Sequence, residues 1–372
     1  MNLLIELLQV ALGSRDRLSR QPSDSDWEYV FVKAKEQTIA GVLFDGIEKL
    51  DVSQRPSKHL LMSWYAYVER LERRNDKMNY FSRNVMMRFM QDGFRVLVLK
   101  GQGNAMMYDN PRRRHPGDID LWLTVPGKTP REGRDDVVRY VLKYCPTSQV
   151  LYHHTVFDVL TKSEGIEIEP HYLPTWLCNP FRNAVLQKWF EKEVDRQFEN
   201  RKIELPGDVG FIYVPTNDFN ITFQLIHIYR HLFSDGIGLR QIIDYYYLLK
   251  QNEHNDMPDL LRRIGLSDFT AALMYVLSVV CDLDRKCMLC EPNEKDGVFL
   301  LEEIMRAGNF GLYDSRSVFG DDEGRIDRFV RRQKRLMKFL TFCPSEVFWS
   351  LYFTIWQRCW RIKKGYTTWS GR

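Results

Sequence analysis

The sequence has no uninterrupted apolar stretch near the roughly 20 residues that cross a bilayer. The nearest approach, residues 347–355, is too short. Its apolar start lacks a basic region ahead of it, and Glu6 interrupts the run early, so the start reads as an amphipathic helix rather than a secretory leader. No sign of charge dominates: 53 basic against 49 acidic residues leave a net charge of +4 over 372 residues, too diffuse to call for a nucleic-acid partner by itself. The 7 cysteines are odd in number and scattered without a framework spacing, which fits a reducing cytoplasm better than a secreted scaffold. Internal repeats and low-complexity tracts are also missing. What remains is the composition of an ordinary globular protein, 44% hydrophobic and 27% charged, in a chain long enough for two or three packed units.

The chain divides into helical, mixed and helical thirds: a helical region over 1–92, an α/β core over 93–215 and a second helical region over 216–372. Leu3, Leu4, Leu7, Leu8 and Leu12 make one helical stripe. Ser23 with Asp24 or Asp26 caps the next helix, and a long helix from Ser57 to Met90 ends at Gly93. Residues 95–99 and 119–124 read as strands. Residues 152–160 and 166–172 read as two more, joined by a Gly165 turn into a hairpin. Helices are expected over 103–108, 131–144, 219–233, 239–249, 258–281 and 300–307, a polar loop over 315–322, a basic helix over 325–340 and a final helix carrying Trp349, Trp356 and Trp360.

Chemistry concentrates in LKGQG at 99–103 and RHPGDIDLW at 114–122. Alternate side chains of a strand share a face. Asp118 and Asp120 therefore project together while Ile119 and Leu121 turn to the opposite, buried side. Two carboxylates so close ionise together cheaply only with a cation between them, and Mg²⁺ prefers such oxygens. Glu167 and Glu169 alternate along a later strand, and either can complete the site. Two metal ions held this way suit transfer of a phosphoryl-linked group. Gly101 and Gly103 allow close approach of the backbone, and a helix starting there offers N–H groups to phosphate.

These residues resemble a known family. LKG, RHPGDIDLWL, then IEIEPHY at 166–172 and HIYRHLFSDGIGLRQIIDYYYLL at 227–249 are similar to the uncharacterised bacterial nucleotidyltransferases of the polymerase-β-like superfamily. The resemblance implies an α+β fold, a small mixed β-sheet core flanked by N-terminal and C-terminal helical regions. It implies transfer of a nucleoside monophosphate from an NTP, ATP included, to an acceptor hydroxyl with release of pyrophosphate. Asp118, Asp120 and Glu169 would be catalytic metal ligands for two Mg²⁺ ions. Lys100, Gly101, Gln102, Gly103 and Arg114 would lie at the nucleotide. The acceptor, whether protein, RNA or a small molecule, is not legible.

Two other functions stand beside this one. A regulatory module on the same fold would bind nucleotide without turnover. A sugar- or phosphate-transferring enzyme holding a metal–diphosphate on Asp-x-Asp would need a larger sheet. Elsewhere, His227 and His231 at i and i+4 read as a packed structural pair, Arg240 and Asp244 as a helix ion pair, and Cys287 and Cys290 as ordinary thiols. The basic run 325–338 reads as a solvated helix face.

Overall fold

Residues 2–157, 164–199, 201–234, 236–251, 256–311, 313 and 333–366 are described by a computed structural model. Helix α1 (Leu3–Leu12) starts on the Asn2 side chain and ends at Gly13, whose φ of 80° closes it. Helix α2 (Asp24–Glu36) begins with a capping box in which Ser23 and Asp26 satisfy each other's backbone N–H groups. Helices α3 (Ala40–Lys49) and α4 (Lys58–Gln91) follow. With 34 residues, α4 is about 50 Å long and stops before Gly93.

Strands β1 (Arg95–Val98), β2 (Ile119–Thr124) and β3 (Ile168–His171) form a sheet in the order β1-β2-β3. β1 runs antiparallel and β3 parallel to the central β2. A single helical turn, α5 (Gln102–Ala105), follows β1, and α6 (Pro130–Tyr144) lies between β2 and β3. Then come α7 (Pro180–Gln197) and a separate hairpin of β4 (Lys202–Leu205) and β5 (Gly210–Tyr213). Helices α8 (Asn217–Ser234), α9 (Leu239–Lys250), α10 (Asp259–Arg263), α11 (Ser267–Cys281), α12 (Glu294–Ala307) and α13 (Pro344–Lys363) complete the chain. The fold is α+β, a small mixed sheet with helical flanks, as expected.

The sheet is a wall between two cores, and strand alternation explains why. Ile119, Leu121, Leu123, Val96 and Val98 face one core with Val85, Met86 and Phe89 of α4 and Val137 and Val141 of α6. Leu97, Leu99 and Trp122 face the other, made mostly of helices. There Trp122 is fully buried and stacks on Phe219 at 5.5 Å. Both ends of the chain share that second core. Gln9 of α1 donates to the Val279 carbonyl of α11 (3.1 Å), and Gln37 bonds both to α12 carbonyls and to the Leu239 N–H.

Several expectations change. The strand expected over 152–160 is absent among the described residues: residues 153–157 run beside β3 through a His154–His171 bridge and the Phe157 N–H to Ile168 carbonyl bond, and 158–163 lie outside the described residues. The helix expected over 103–108 is only α5, because Tyr108 is drawn away to a buried partner in α9. The helix expected over 258–281 breaks into α10 and α11 at Gly265, whose φ is 68°. Helix α7 and the β4–β5 hairpin were not anticipated. The loop at 315–322 and the first half of the basic run 325–340, residues 325–332, lie outside the described residues.

Candidate active site

The turn after β1 sets the site's floor. Leu99 N–H donates to the Asp120 carbonyl at 3.0 Å, holding the end of β1 against β2. Gly101 then adopts φ 65° and ψ −110°, a conformation only glycine enters cheaply. Its α-carbon sits close to the Asp118 backbone, since a Cβ there would lie 3.5 Å from the Asp118 carbonyl oxygen. Gly103 is similarly hemmed in, 3.0 Å from Val214 for such a Cβ. Gln102 is buried and its amide donates to Asn79 of α4. Asn104 and Gln224 exchange two amide hydrogen bonds of 3.0 and 2.9 Å, pinning α5 to α8. Thus Gln102 and Asn104 hold the turn in place, while Lys100 and Gly101 line the cleft together with Asp118, Asp120, Gly117 and Arg240.

The register of β2 and β3 places Glu169 directly beside Asp120. Both stand on the face opposite Ile119 and Ile168. Glu167 is exposed at the strand's start, and its carbonyl accepts from Ile119. Pro170 lies on the edge strand, where a missing N–H is tolerated. Asp120 is buried (1% exposed), with Oδ1 3.1 Å from Lys100 Nζ and 3.1 Å from His171 Nε2. Oδ2 of Asp120 is buried and has no hydrogen-bond partner among the described residues. Burial raises the Asp120 pKa, but Lys100 and His171 outweigh it and leave the carboxyl below its usual range. For Glu169 burial again opposes ionisation, yet the hydrogen bond from His171 and the nearby His154 bring the pKa down to about 2. Burial likewise disfavours the Lys100 ammonium, and Asp120, Asp118 and Glu169 together hold its pKa above the ordinary lysine value. The group is a carboxylate cluster of net negative charge with Lys100 among its members.

Histidines surround it. His171 Nε2 lies 3.1 Å from Glu169 Oε2 as well as from Asp120. His154 Nε2 lies 3.5 Å from Glu169 Oε1. His227 Nε2 is 3.0 Å from Lys100 Nζ. Burial, then Lys100, push the His227 imidazole well below its normal pKa, so it stays neutral and accepts from the ammonium. The His227–His231 rings stand 4.3 Å apart, the packed pair expected from their spacing. Sequence reasoning missed His153, His154 and His171 as neighbours of the carboxylates, although their placement two positions beyond Glu169, or across the edge strand from it, carried the signal.

Arg114 is placed differently from expectation. It lines the cleft, but its guanidinium makes a two-pronged bond of 2.7 and 2.7 Å to Asp244, and Tyr108 Oη donates to the same carboxylate at 2.6 Å. All of this is buried. The expected Arg240–Asp244 helix pair gives way to this fork, and Arg240 donates instead to the His115 carbonyl at 3.2 Å. Arg112 pairs with Asp76 and Arg113 with Asp45, Glu48 and Glu72, so neither faces the carboxylates of the cleft. Cys287 is buried and Cys290 half-buried.

Residues 23–283 match the family model described as an uncharacterised nucleotidyltransferase, well over half of the chain, and the protein belongs to that family. Among solved structures, an antigenic nucleotidyltransferase-like protein from Paracoccidioides brasiliensis aligns at 12% identity and a TM-score of 0.35, covering 59% of this chain and 96% of that one. No curated protein matches the chain. Among the described residues no helix is long and apolar enough to cross a membrane.

Proposed function

We propose that this member of a nucleotidyltransferase family transfers a nucleoside monophosphate from an NTP to an acceptor hydroxyl, using Asp118, Asp120 and Glu169 with Mg²⁺. The observation that carries the reading is the pairing of Asp120 with Glu169 across β2 and β3, with Asp118 lining the same cleft and Asp120 Oδ2 buried and lacking a partner among the described residues. An unpaired buried carboxylate oxygen is costly unless a cation meets it. The carboxylate oxygens of these three residues suit Mg²⁺ and would hold it, with His171 Nε2 beside those of Asp120 and Glu169. When bound, the metal supplies charge neutralisation for the triphosphate.

The acceptor hydroxyl gives its proton to water and its oxygen bonds to the α-phosphorus, the bond from that phosphorus to the α–β bridging oxygen breaks, and pyrophosphate leaves. Lys100 lies close enough to Asp120 to add positive charge beside the phosphates, while Gly101 lets the backbone approach them without a side chain in the way. Helices α7 and α8 close the tryptophan side of the strand and keep solvent from the rear of the site.

A second reading, nucleotide binding without turnover, draws support from α5, a single turn whose Gln102 side chain is buried against Asn79. Calorimetric titration of each NTP, with and without Mg²⁺, into wild type and the Asp118→Ala/Asp120→Ala variant tests the site. Metal-dependent binding lost in the variant is expected, and no binding to wild type refutes the site. Pyrophosphate release in an acceptor screen then separates turnover from binding alone.

A further inference from the structure

Beside Glu169 lies a row of imidazoles whose proton positions follow from a single indole. Trp176 Nε1–H can only donate, and it lies 3.0 Å from His153 Nδ1. An imidazole that accepts at Nδ1 carries its one proton on Nε2. That nitrogen lies 2.8 Å from His154 Nδ1, which must then accept, so His154 carries its proton on Nε2. His154 Nε2 in turn faces Glu169 Oε1 at 3.5 Å. On the other side His171 Nε2 sits 3.1 Å from both Glu169 Oε2 and Asp120 Oδ1. Ionised carboxylates only accept, so this nitrogen also bears a proton. The His154 and His171 rings stack, 4.9 Å between centroids and tilted by 26°. Glu169 Oε2 is thus within hydrogen-bond distance of the His171 imidazole, and Oε1 is in looser contact, 3.5 Å, with His154, from two rings that brace each other.

We propose that Trp176, His153 and His154 form a one-directional hydrogen-bonded row that positions Glu169, fixing the plane of its carboxylate and leaving the outward lone pairs for the cleft. These are positioning residues, and the consequence for metal rests on the nucleotidyl-transfer reading, whereas the proton order does not. The competing use of the same residues is a metal centre on His153, His154 and His171, whose nitrogens lie within 4.8 Å of one another. That use would cost the Trp176–His153 bond whichever His153 nitrogen bound the metal, because a ligating Nδ1 leaves Trp176 and a ligating Nε2 places the proton on Nδ1, against the indole N–H. Arg230 NH1, 3.2 Å from His153 Nε2, is a donor facing a donor in this order, and its guanidinium lies over the Trp176 ring at 5.5 Å. The shorter contact selects the row: His153 Nε2 lies 2.8 Å from His154 Nδ1 against 3.2 Å from Arg230.

The test is the long-range ¹H–¹⁵N spectrum of histidine ring nitrogens in the full chain, with wild type, Trp176→Phe, His154→Gln and His154→Asn. Wild type should show His153 and His154 as Nε2–H tautomers. Trp176→Phe, which keeps the ring and removes the donor, should move the tautomer of His154, two hydrogen bonds away. A purely structural tryptophan would not do so. An Nδ1–H or doubly protonated His154 in wild type, or an unchanged His154 in Trp176→Phe, overturns the row. The glutamine amide nitrogen overlays Nε2 of histidine and can still reach Glu169, whereas the asparagine nitrogen overlays Nδ1 and cannot. Mg²⁺-dependent NTP binding should therefore stay near wild type in His154→Gln and weaken about 10–100-fold in His154→Asn. Equal losses in the two variants, with unchanged melting curves, overturn the positioning role. If wild type binds no NTP, the carboxylate reading fails while the spectra still decide the proton order.

Discussion

Replacing Asp244 with alanine strikes the buried fork that holds Arg114. The side chains of Arg114 and Asp244 are 4% and 7% exposed, and the carboxylate takes two guanidinium N–H bonds and the Tyr108 hydroxyl. Removing one partner of such a pair leaves an uncompensated charge and costs about 3–5 kcal/mol. At a urea m-value of about 3 kcal/mol/M the unfolding midpoint should fall by roughly 1–1.7 M. The double variant Arg114→Met/Asp244→Leu removes both charges and should regain most of that loss. The pH window follows from the direction of the shift: burial raises the Asp244 pKa, but Arg114, Tyr108 and Arg240 hold it below the usual value. A depressed carboxyl stabilises fully above its unfolded pKa of about 4 and loses that contribution as pH falls through the folded value. The penalty of Asp244→Ala should thus be constant from pH 8 to pH 5 and shrink only in stronger acid. A loss under about 1 kcal/mol, or a double variant as unstable as the single one, would refute the structural role and return Arg114 to the phosphates.

Gly101→Ala should lower stability by about 1–3 kcal/mol through its backbone conformation and weaken NTP binding at the same time, read by urea unfolding and calorimetry. His115→Gln should flatten part of the stability loss between pH 6.5 and pH 5. Burial first, then Arg240 and Arg114, bring His115 down to about 3, so its contribution is complete above about 6.5 and declines as pH falls towards 3. The buried His153, His154 and His227 add to that slope in the same direction, so an unchanged profile in the variant argues against His115. Thiol labelling of the native protein should modify the exposed Cys359 quickly and the half-buried Cys290 slowly, with Cys145, Cys178, Cys281, Cys287 and Cys343 reacting only on unfolding. Rapid labelling of any of the five contradicts their burial.

What the sequence makes legible here is local. Alternation along IDLWLT alone separates Asp118, Asp120 and Trp122 from Ile119, Leu121 and Leu123, and the two cores divide the hydrophobic members in the same way. Pro170 announces an edge strand, and the Ser23 cap and the Gly93 stop lie where their chemistry demands. Helix α7 and the β4–β5 hairpin were readable too, from Asn179-Pro180 at a helix start and from Pro206-Gly207-Asp208 at a turn where Gly207 and Asp208 take positive φ. Long-range choices were not legible. Arg240 sits four residues from Asp244, but a guanidinium 130 residues away presents the better fork. Nothing in local spacing reveals that competition. The same holds for His153 and His154, whose segment reads as a strand and serves instead to bring two imidazoles against β3.

Helix α1 has one more consequence, for synthesis rather than chemistry. Residues 4–12 are all buried, and Gln9 bonds to Val279, 270 residues further on. At about 5–20 residues per second the ribosome needs roughly 15–50 s to deliver α11 after α1 has emerged. For that interval the leucines of α1 lack part of the surface that covers them in the finished fold. Nascent chains of this protein should therefore present their first helix to holding chaperones, and release should coincide with the appearance of α11.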